Sequence, residues 1–206
     1  MKKMVYLAVY EGISDWEYGY VLAHINSPDF QANPNAYGIQ TVGKSKHPIR
    51  TKGGVSILPD LELNELNPED GAMFILCGSD HAATGGIDDF VRVAKQLLEQ
   101  GVFIAAICGA TAALAKHGLL NNIPHTSNAK EYLEMTGYAG GKYYVEKPAV
   151  SSEAIITASG IEPVAFAVEI FKKLNIYSDD VLDAWITLFE HKDIKGFYEL
   201  MESGSK

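Results

Sequence analysis

The order of apolar and helix-forming segments constrains the fold of this chain more than any other feature. Three short, continuous apolar runs and a fourth strand-like segment are each followed by a stretch with the composition and spacing of a helix. The apolar runs are residues 5–10, 72–77 and 102–107, and the fourth segment is 153–159. Continuous apolar strands that alternate with helices indicate a mainly parallel sheet covered on both faces. We therefore predict an α/β fold, a three-layer sandwich with the sheet in the middle.

Other segments extend this pattern. Further strands are predicted at residues 37–43, 53–59 and 142–148. Helices are predicted at residues 15–26, with Ser14 as the N-cap, and at residues 88–101, 109–118, 128–137 and 162–174. The chain is predicted to form a single domain over residues 1–206, with 178–206 as a C-terminal helical extension. The apolar faces of that extension favour core or subunit packing, and a substrate lid is the alternative.

Composition narrows the class of partner. The 206 residues carry a formal net charge of −9 without a basic cluster, which argues against nucleic acid or an anionic membrane as the partner. Only Cys77 and Cys108 carry thiols, so no disulfide framework is expected and a cytoplasmic location is predicted. The N-terminal apolar run is too short for a signal peptide. A small-molecule substrate is the expected partner.

Cys108 lies where a predicted strand becomes a predicted helix, in the stretch FIAAICGATAALAKHG. A nucleophile on such a tight turn projects above the sheet, and the turn needs small neighbours, which Ala106, Gly109 and Ala110 supply. Backbone N–H groups at a helix N-terminus stabilise an anion, so we expect the thiol pKa to be low. A buried, apolar cysteine is the alternative interpretation.

An attacking thiolate also needs hydrogen-bond donors for the oxyanion that forms on a carbonyl substrate. Binding sites in parallel α/β sheets lie outside the carboxyl ends of the strands. The loops after residues 10, 77 and 107 are therefore expected to meet at the site. The backbone amides of Gly109 and of the Gly78 to Ser79 turn are the candidate donors.

Four stretches in this order and spacing resemble the ThiJ/PfpI family of the class I glutamine amidotransferase-like superfamily. They are VYLAVYEGISDWE, FILCGSD, AAICGATAAL, and PHTSN followed by ITASGIEPVAFAVEIF. The resemblance covers about residues 4 to 175 and implies a flavodoxin-like sandwich. The family includes intracellular proteases and the human parkinsonism-associated protein.

The resemblance implies a role for each matching position. Cys108 would be the reactive cysteine, and Glu17 the carboxyl group beside it. Ser79 and Gly109 would supply the oxyanion-hole amides. His125 would lie near the thiol.

The chemistry of Glu17 agrees with that role. Burial against sulfur would raise the pKa of a carboxyl group, and the protonated acid could donate a hydrogen bond to the thiolate. An exposed glutamate that favours the helix N-terminus is the alternative.

The chain also departs from the family pattern. Relatives classed as intracellular proteases carry a histidine directly after the nucleophile, where this chain has Gly109. His125 is then the candidate for orienting the thiolate, and a surface loop histidine is its alternative. His81 is a weaker candidate for a direct part in the chemistry, and a solvated loop position is its alternative. Cys77 replaces the family's usual proline and is interpreted as buried filler, with a redox pair to Cys108 as the alternative.

The function implied by the resemblance is a cysteine-dependent hydrolase, protease-like or amidase-like, that acts on small carbonyl or amide compounds without a cofactor. No metal site is expected, because the remaining histidines, His24, His47, His117 and His191, lack cysteine or carboxylate partners at metal-ligand spacing. One alternative is a glyoxalase III or deglycase-type enzyme for 2-oxoaldehydes. Others are a redox stress sensor that works through oxidation of Cys108 and a binding module without chemistry. A homo-oligomer, commonly a homodimer in the family, is also expected.

Overall fold

A seven-stranded sheet forms the centre of the molecule in the computed structural model, which describes residues 2–204. The nine strands of the described chain are β1 (Lys3–Ala8), β2 (Tyr37–Gly43), β3 (Ile49–Arg50), β4 (Ser56–Ile57), β5 (Leu61–Glu62), β6 (Gly71–Leu76), β7 (Phe103–Ile107), β8 (Ala149–Ser151) and β9 (Ile155–Ala158). The α-helices are α1 (Asp15–Asn26), α2 (Asp88–Glu99), α3 (Gly109–Lys116), α4 (Lys130–Glu134), α5 (Pro163–Leu174), α6 (Asp179–Phe189) and α7 (Lys195–Ser203).

The strand order in the sheet is β5-β2-β1-β6-β7-β9-β8. All neighbours are parallel except β8, which runs antiparallel to β9 at one edge. The prediction of a mainly parallel, flavodoxin-like α/β sandwich is confirmed. The central strands are apolar throughout because both of their faces are covered, and residues 5–8 of β1 are almost wholly inaccessible to solvent.

The chain changes direction across the sheet between β1 and β6. From β1 it crosses through α1 to β2 on one side, and it later crosses from β6 through α2 to β7 on the other. Right-handed crossovers in opposite directions put α1 and α2 on opposite faces. The loops after β1 and β6 therefore diverge and leave a crevice at the carboxyl ends of these strands, where ligands bind in such folds.

Two predicted strands differ from the structure. Residues 142–148 do not form a strand; a 3₁₀ turn covers Gly141–Tyr143, and a single bridge joins Tyr144 to His125. Pro148 cannot donate a backbone hydrogen bond, and the edge strand β8 starts directly after it. The predicted strand at residues 53–59 is limited to β4, which pairs with β3 in a small hairpin outside the main sheet.

The C-terminal segment forms two helices, α6 and α7, that pack on each other. Trp185 of α6 is 1% exposed and lies in a cluster of rings from Tyr20, His24, Phe171 and Phe189. This anchorage agrees with core packing rather than with a mobile lid. Residues 205 and 206 of the predicted extension lie outside the described residues.

The outer face of α7 leaves Phe197 and Tyr198 exposed. Its use as a subunit interface, and the homo-oligomer itself, remain predictions. None of the helices in the described part of the chain is long and apolar enough to cross a membrane.

The two tryptophans offer a matched test of the role of α6. We expect Trp185→Ala to lower the free energy of unfolding by about 3–5 kcal/mol, because it empties a ring-lined site in the core. Trp16 is 49% exposed and donates one hydrogen bond to the Gly160 carbonyl, so Trp16→Ala should cost about 1 kcal/mol or less. Urea denaturation followed by circular dichroism measures both; equal losses would contradict the assignment of α6 to the core.

Candidate active site

Cys108 occupies a strained turn between β7 and α3. Its φ of 59° and ψ of −129° lie in a region that residues with a side chain rarely adopt. The Cys108 N–H donates to the Ala158 carbonyl at 3.0 Å, which ties the turn to β9. The structure therefore places this cysteine at the carboxyl edge of the sheet, as expected for a nucleophile elbow.

Two glycines lie directly against the sulfur. A Cβ added to Gly160 would be 2.6 Å from Cys108 Sγ, and one added to Gly78 would be 3.0 Å from it. Neither position has room for a side chain. The half-buried thiol is therefore enclosed by backbone on two sides.

Glu17 lies in the first turn of α1, and its side chain is completely buried. The Gly78 N–H donates to Oε2 at 2.5 Å. Oε1 is buried without a well-aligned donor in the described part of the chain, and the Cys108 thiol and the Ser14 hydroxyl are the side chains that interact with the carboxyl group. Loss of solvent raises the pKa of Glu17 to about 7, although these hydrogen bonds oppose the shift.

The pKa of the Cys108 thiol is raised, whereas the sequence predicted a low value. Burial and the negative charge of Glu17 raise the pKa of Cys108, while Asn128 and the Gly109 N–H lower it. The expected effect of the helix N-terminus is present, but loss of solvent and a neighbouring carboxylate outweigh it. Because the two groups cannot both ionise easily in one buried site, the loss of a proton from one raises the pKa of the other.

Of the three predicted oxyanion-hole residues, Ser79 has an N–H without an acceptor among residues 2–204. The Gly109 N–H is directed at the Cys108 sulfur, where its hydrogen bond lowers the thiol pKa. The Gly78 N–H is not available, because it is bonded to Glu17. The Gly78 N–H therefore holds the acid, which leaves Ser79 and Gly109 as the candidate oxyanion donors.

The structure does not bring His125 to the thiol. Its side chain is buried; Nδ1 pairs with the Ile123 carbonyl at 2.7 Å and Nε2 with the Tyr138 hydroxyl at 3.0 Å. Burial also lowers the pKa of His125, so the ring stays neutral. With both ring nitrogens occupied elsewhere, His125 supports the loop rather than the sulfur.

Asn128, three residues further along, makes the contact with the thiol that was predicted for His125. Its Nδ2 donates to Cys108 Sγ at 3.5 Å, and its Oδ1 accepts the Gly160 N–H at 2.8 Å. The second bond fixes the orientation of the amide. The PHTSN stretch does point to this loop, but sequence alone does not indicate which of its side chains faces the thiol.

The other singled-out residues lie outside this cluster or only border it. His81 is exposed on the loop after β6. Cys77 is fully buried, both cysteines are free thiols, and burial raises the pKa of Cys77 well above its usual range.

The hydroxyl of Tyr132, a residue not predicted from the sequence, borders Gly109. Within residues 2–204, no three histidine, cysteine or acidic side chains are arranged to hold a metal ion.

Comparison with known proteins gives a consistent result. Residues 3–173 match the model of the DJ-1/PfpI family. A curated relative from Bacillus subtilis, named "Uncharacterized protease YoaZ", is 42% identical over 207 aligned residues, which span 98% of this chain and 97% of that protein.

Solved structures show the same similarity. A thiJ/pfpI family protein from Bacillus anthracis superposes with a TM-score of 0.92 at 38% identity, covering 100% of this chain and 99% of that one. A DJ-1 superfamily protein from Agrobacterium tumefaciens gives a TM-score of 0.81 at 28% identity, covering 92% and 99%.

The raised pKa of Glu17 makes the stability of the fold depend on pH. The folded-state value of about 7 lies above the ordinary 4.5, so the native state holds this proton more tightly than the unfolded chain does. Between pH 4.5 and 7 the free energy of unfolding of the wild type should fall by about 3 kcal/mol relative to Glu17→Gln, and it should fall no further above pH 7.

Chemical denaturation at several pH values measures this difference. The exposed Glu131→Gln is the control, and it should leave the pH dependence of the wild type unchanged. A constant difference between wild type and Glu17→Gln from pH 4.5 to 8 would contradict the raised pKa.

Proposed function

Because the chain belongs to the DJ-1/PfpI family, we propose that it is a cysteine-dependent hydrolase that acts on small carbonyl or amide compounds. The observation that carries the proposal is the contact between Cys108 and the buried acid Glu17, beside two backbone donors at Ser79 and Gly109. A general base with a pKa near the working pH is the most effective one, and the pKa of Glu17 is about 7.

Acylation follows from this arrangement. As Cys108 Sγ bonds to the carbonyl carbon, the thiol proton passes to the Glu17 carboxylate. The carbonyl electron pair moves to oxygen, where the N–H groups of Ser79 and Gly109 stabilise the negative charge. When the C–N bond breaks, the leaving amine takes the proton from Glu17 and a thioester remains.

Deacylation reverses the proton path. Water adds to the thioester carbon and gives a proton to Glu17. The C–S bond then breaks, the carboxylic acid leaves, and sulfur recovers the proton. Glu17 thus serves as base and then acid in both halves of the reaction, without a histidine at the sulfur.

A second candidate is the conversion of a 2-oxoaldehyde to a 2-hydroxy acid. The observation that favours it is that Glu17 is the ionisable carboxyl group in contact with the thiol and is closed off from solvent. After the thiol adds to the aldehyde and its proton passes to the aldehyde oxygen, Glu17 would remove the proton from the former aldehyde carbon while the neighbouring carbonyl oxygen gains a proton, which gives an enediol. Glu17 would then return its proton to the neighbouring carbon as the hydroxyl on the former aldehyde carbon loses its proton, which leaves a 2-hydroxy thioester. Water would hydrolyse the resulting thioester.

A redox sensor receives less support. Rapid reaction with peroxide requires an accessible thiolate, whereas burial and Glu17 raise the pKa of the Cys108 thiol. During attack on a carbonyl, the thiol can give its proton to Glu17. Reaction with peroxide instead needs a thiolate that is already present, so this proton transfer does not assist it.

The two cysteines provide the direct test. We expect turnover of chromogenic amides and thioesters, or of methylglyoxal, that disappears in Cys108→Ala and persists in the matched control Cys77→Ala. Glu17→Gln should lower kcat by about 10²- to 10⁴-fold, because the base is lost. Steady-state kinetics measures all three variants.

Two outcomes would oppose the proposal. Equal turnover in Cys108→Ala and wild type would remove the cysteine from the reaction. Stoichiometric oxidation of Cys108 by peroxide, with no turnover of any of these compounds, would favour the sensor instead.

A further inference from the structure

A cavity of about 290 Å³ opens at the same edge of the sheet as the thiol. It is bounded by the loops after β1, β2 and β6, by the β3 strand of the small hairpin, and by the start of α2. The lining residues used below are Tyr10, Lys44, Ile49, Ser79, Ile87 and Phe90. None of the steps proposed above uses this space.

The interior of the cavity is apolar. Tyr10 and Phe90 meet edge to face with ring centroids 5.1 Å apart, and Ile49 and Ile87 supply aliphatic wall. The Tyr10 hydroxyl donates to the Cys77 carbonyl, so it presents no free polar group to the space. A ligand that fills this cavity gains by burying apolar surface rather than by new hydrogen bonds.

The ionisable side chains that line the cavity, Lys44, Glu11 and His81, are all exposed and form its mouth. Lys44 is exposed and forms an ion pair with Asp89 at 2.6 Å. Glu11 is also exposed and accepts the Arg50 N–H at 3.2 Å. These charges already have partners, so the mouth does not select strongly for an ionic ligand.

Ser79 is the residue that the cavity and the candidate active site have in common. It lines the cavity and also holds a free N–H for the oxyanion. The preceding Gly78 packs against Cys108 Sγ, and one step along the chain spans about 3.8 Å, so the Ser79 backbone lies within roughly 8 Å of the sulfur. A substituent of one ring or one branched chain, attached to the carbonyl carbon, covers that distance.

We propose that this cavity binds the apolar substituent next to the substrate's reacting carbonyl. The preferred substrates are then aryl or branched-alkyl carbonyl compounds, such as an arylglyoxal or a phenylacetyl or isovaleryl amide, and not their methyl-substituted counterparts. The inference rests on the proposed function, since it uses the same sulfur and the same oxyanion donors.

Paired substrates test the inference. In the wild type, kcat/KM for phenylglyoxal over methylglyoxal, or for phenylacetyl over acetyl amides, should be at least about 10-fold, since even one methylene in an apolar pocket is worth roughly 10- to 200-fold. Ile49→Phe fills part of the cavity and should reduce that ratio by about 10-fold. Ile57→Phe is the matched control, because Ile57 pairs with Ile49 across the hairpin but does not line the cavity.

A second readout does not depend on turnover. Alkylation of Cys108 by phenacyl bromide should saturate with concentration, and the concentration for half-maximal rate should rise about 10-fold in Ile49→Phe but not in Ile57→Phe. Bromoacetone, which lacks the ring, should show neither effect.

The outcomes separate the two proposals. Turnover with a phenyl-to-methyl ratio near 1 would overturn the cavity assignment and leave the hydrolase intact. Saturable, Ile49-dependent alkylation in a protein that turns over no substrate would support the cavity and refute the hydrolase. Non-saturating alkylation that is the same in both variants would overturn the cavity assignment.

Discussion

The contact between a thiol and a buried carboxyl group is the interaction on which the candidate site depends. Glu17 is fully enclosed, and its pKa rises to about 7 because the charged form loses its solvent. Cys108 is half-buried, and the carboxylate beside it raises the thiol pKa. The proton losses of these two side chains are therefore coupled. In the proposed reaction, the sulfur becomes nucleophilic as the acid accepts its proton.

The backbone maintains this pair of side chains. The N–H of Cys108, which has a positive φ, donates to the Ala158 carbonyl, and the backbones of Gly78 and Gly160 pack against the sulfur at positions where a Cβ would clash with it. The Gly78 N–H also holds one oxygen of Glu17, so a single loop after β6 positions the acid and carries the next N–H, from Ser79, which is the proposed oxyanion donor. The change of chain direction between β1 and β6 leaves the crevice at whose edge these groups lie.

Sequence patterns predicted the parts of this arrangement that depend on local chemistry. The small residues around Cys108 predict a tight turn, and the apolar runs predict the parallel sheet. The contacts that sequence reasoning missed come from residues distant in the chain: Asn128 reaches the sulfur while His125 is turned toward Tyr138. Nothing in PHTSN distinguishes these orientations, which are decided by how the loop packs.

The raised pKa of the thiol and the position of the edge strand β8 also could not be predicted from local sequence. A helix N-terminus can be identified from sequence, but the loss of solvent that outweighs it is a property of the packed site. Likewise, the segment KYYVEKP contains strand-forming residues, but the edge strand of the main sheet is β8, which begins directly after Pro148. In both cases, tertiary contacts or the missing N–H of a proline override what the local sequence favours.

The pH dependence of Cys108 alkylation by iodoacetamide tests the coupling between Cys108 and Glu17 most directly. The wild type should show two steps in the rate constant, the first near pH 7 as the pair loses its first proton and the second above the ordinary cysteine range. In Glu17→Gln the first step should vanish, and the remaining step should move to lower pH because the carboxylate charge is absent. A single step at the same pH in both proteins would contradict the account.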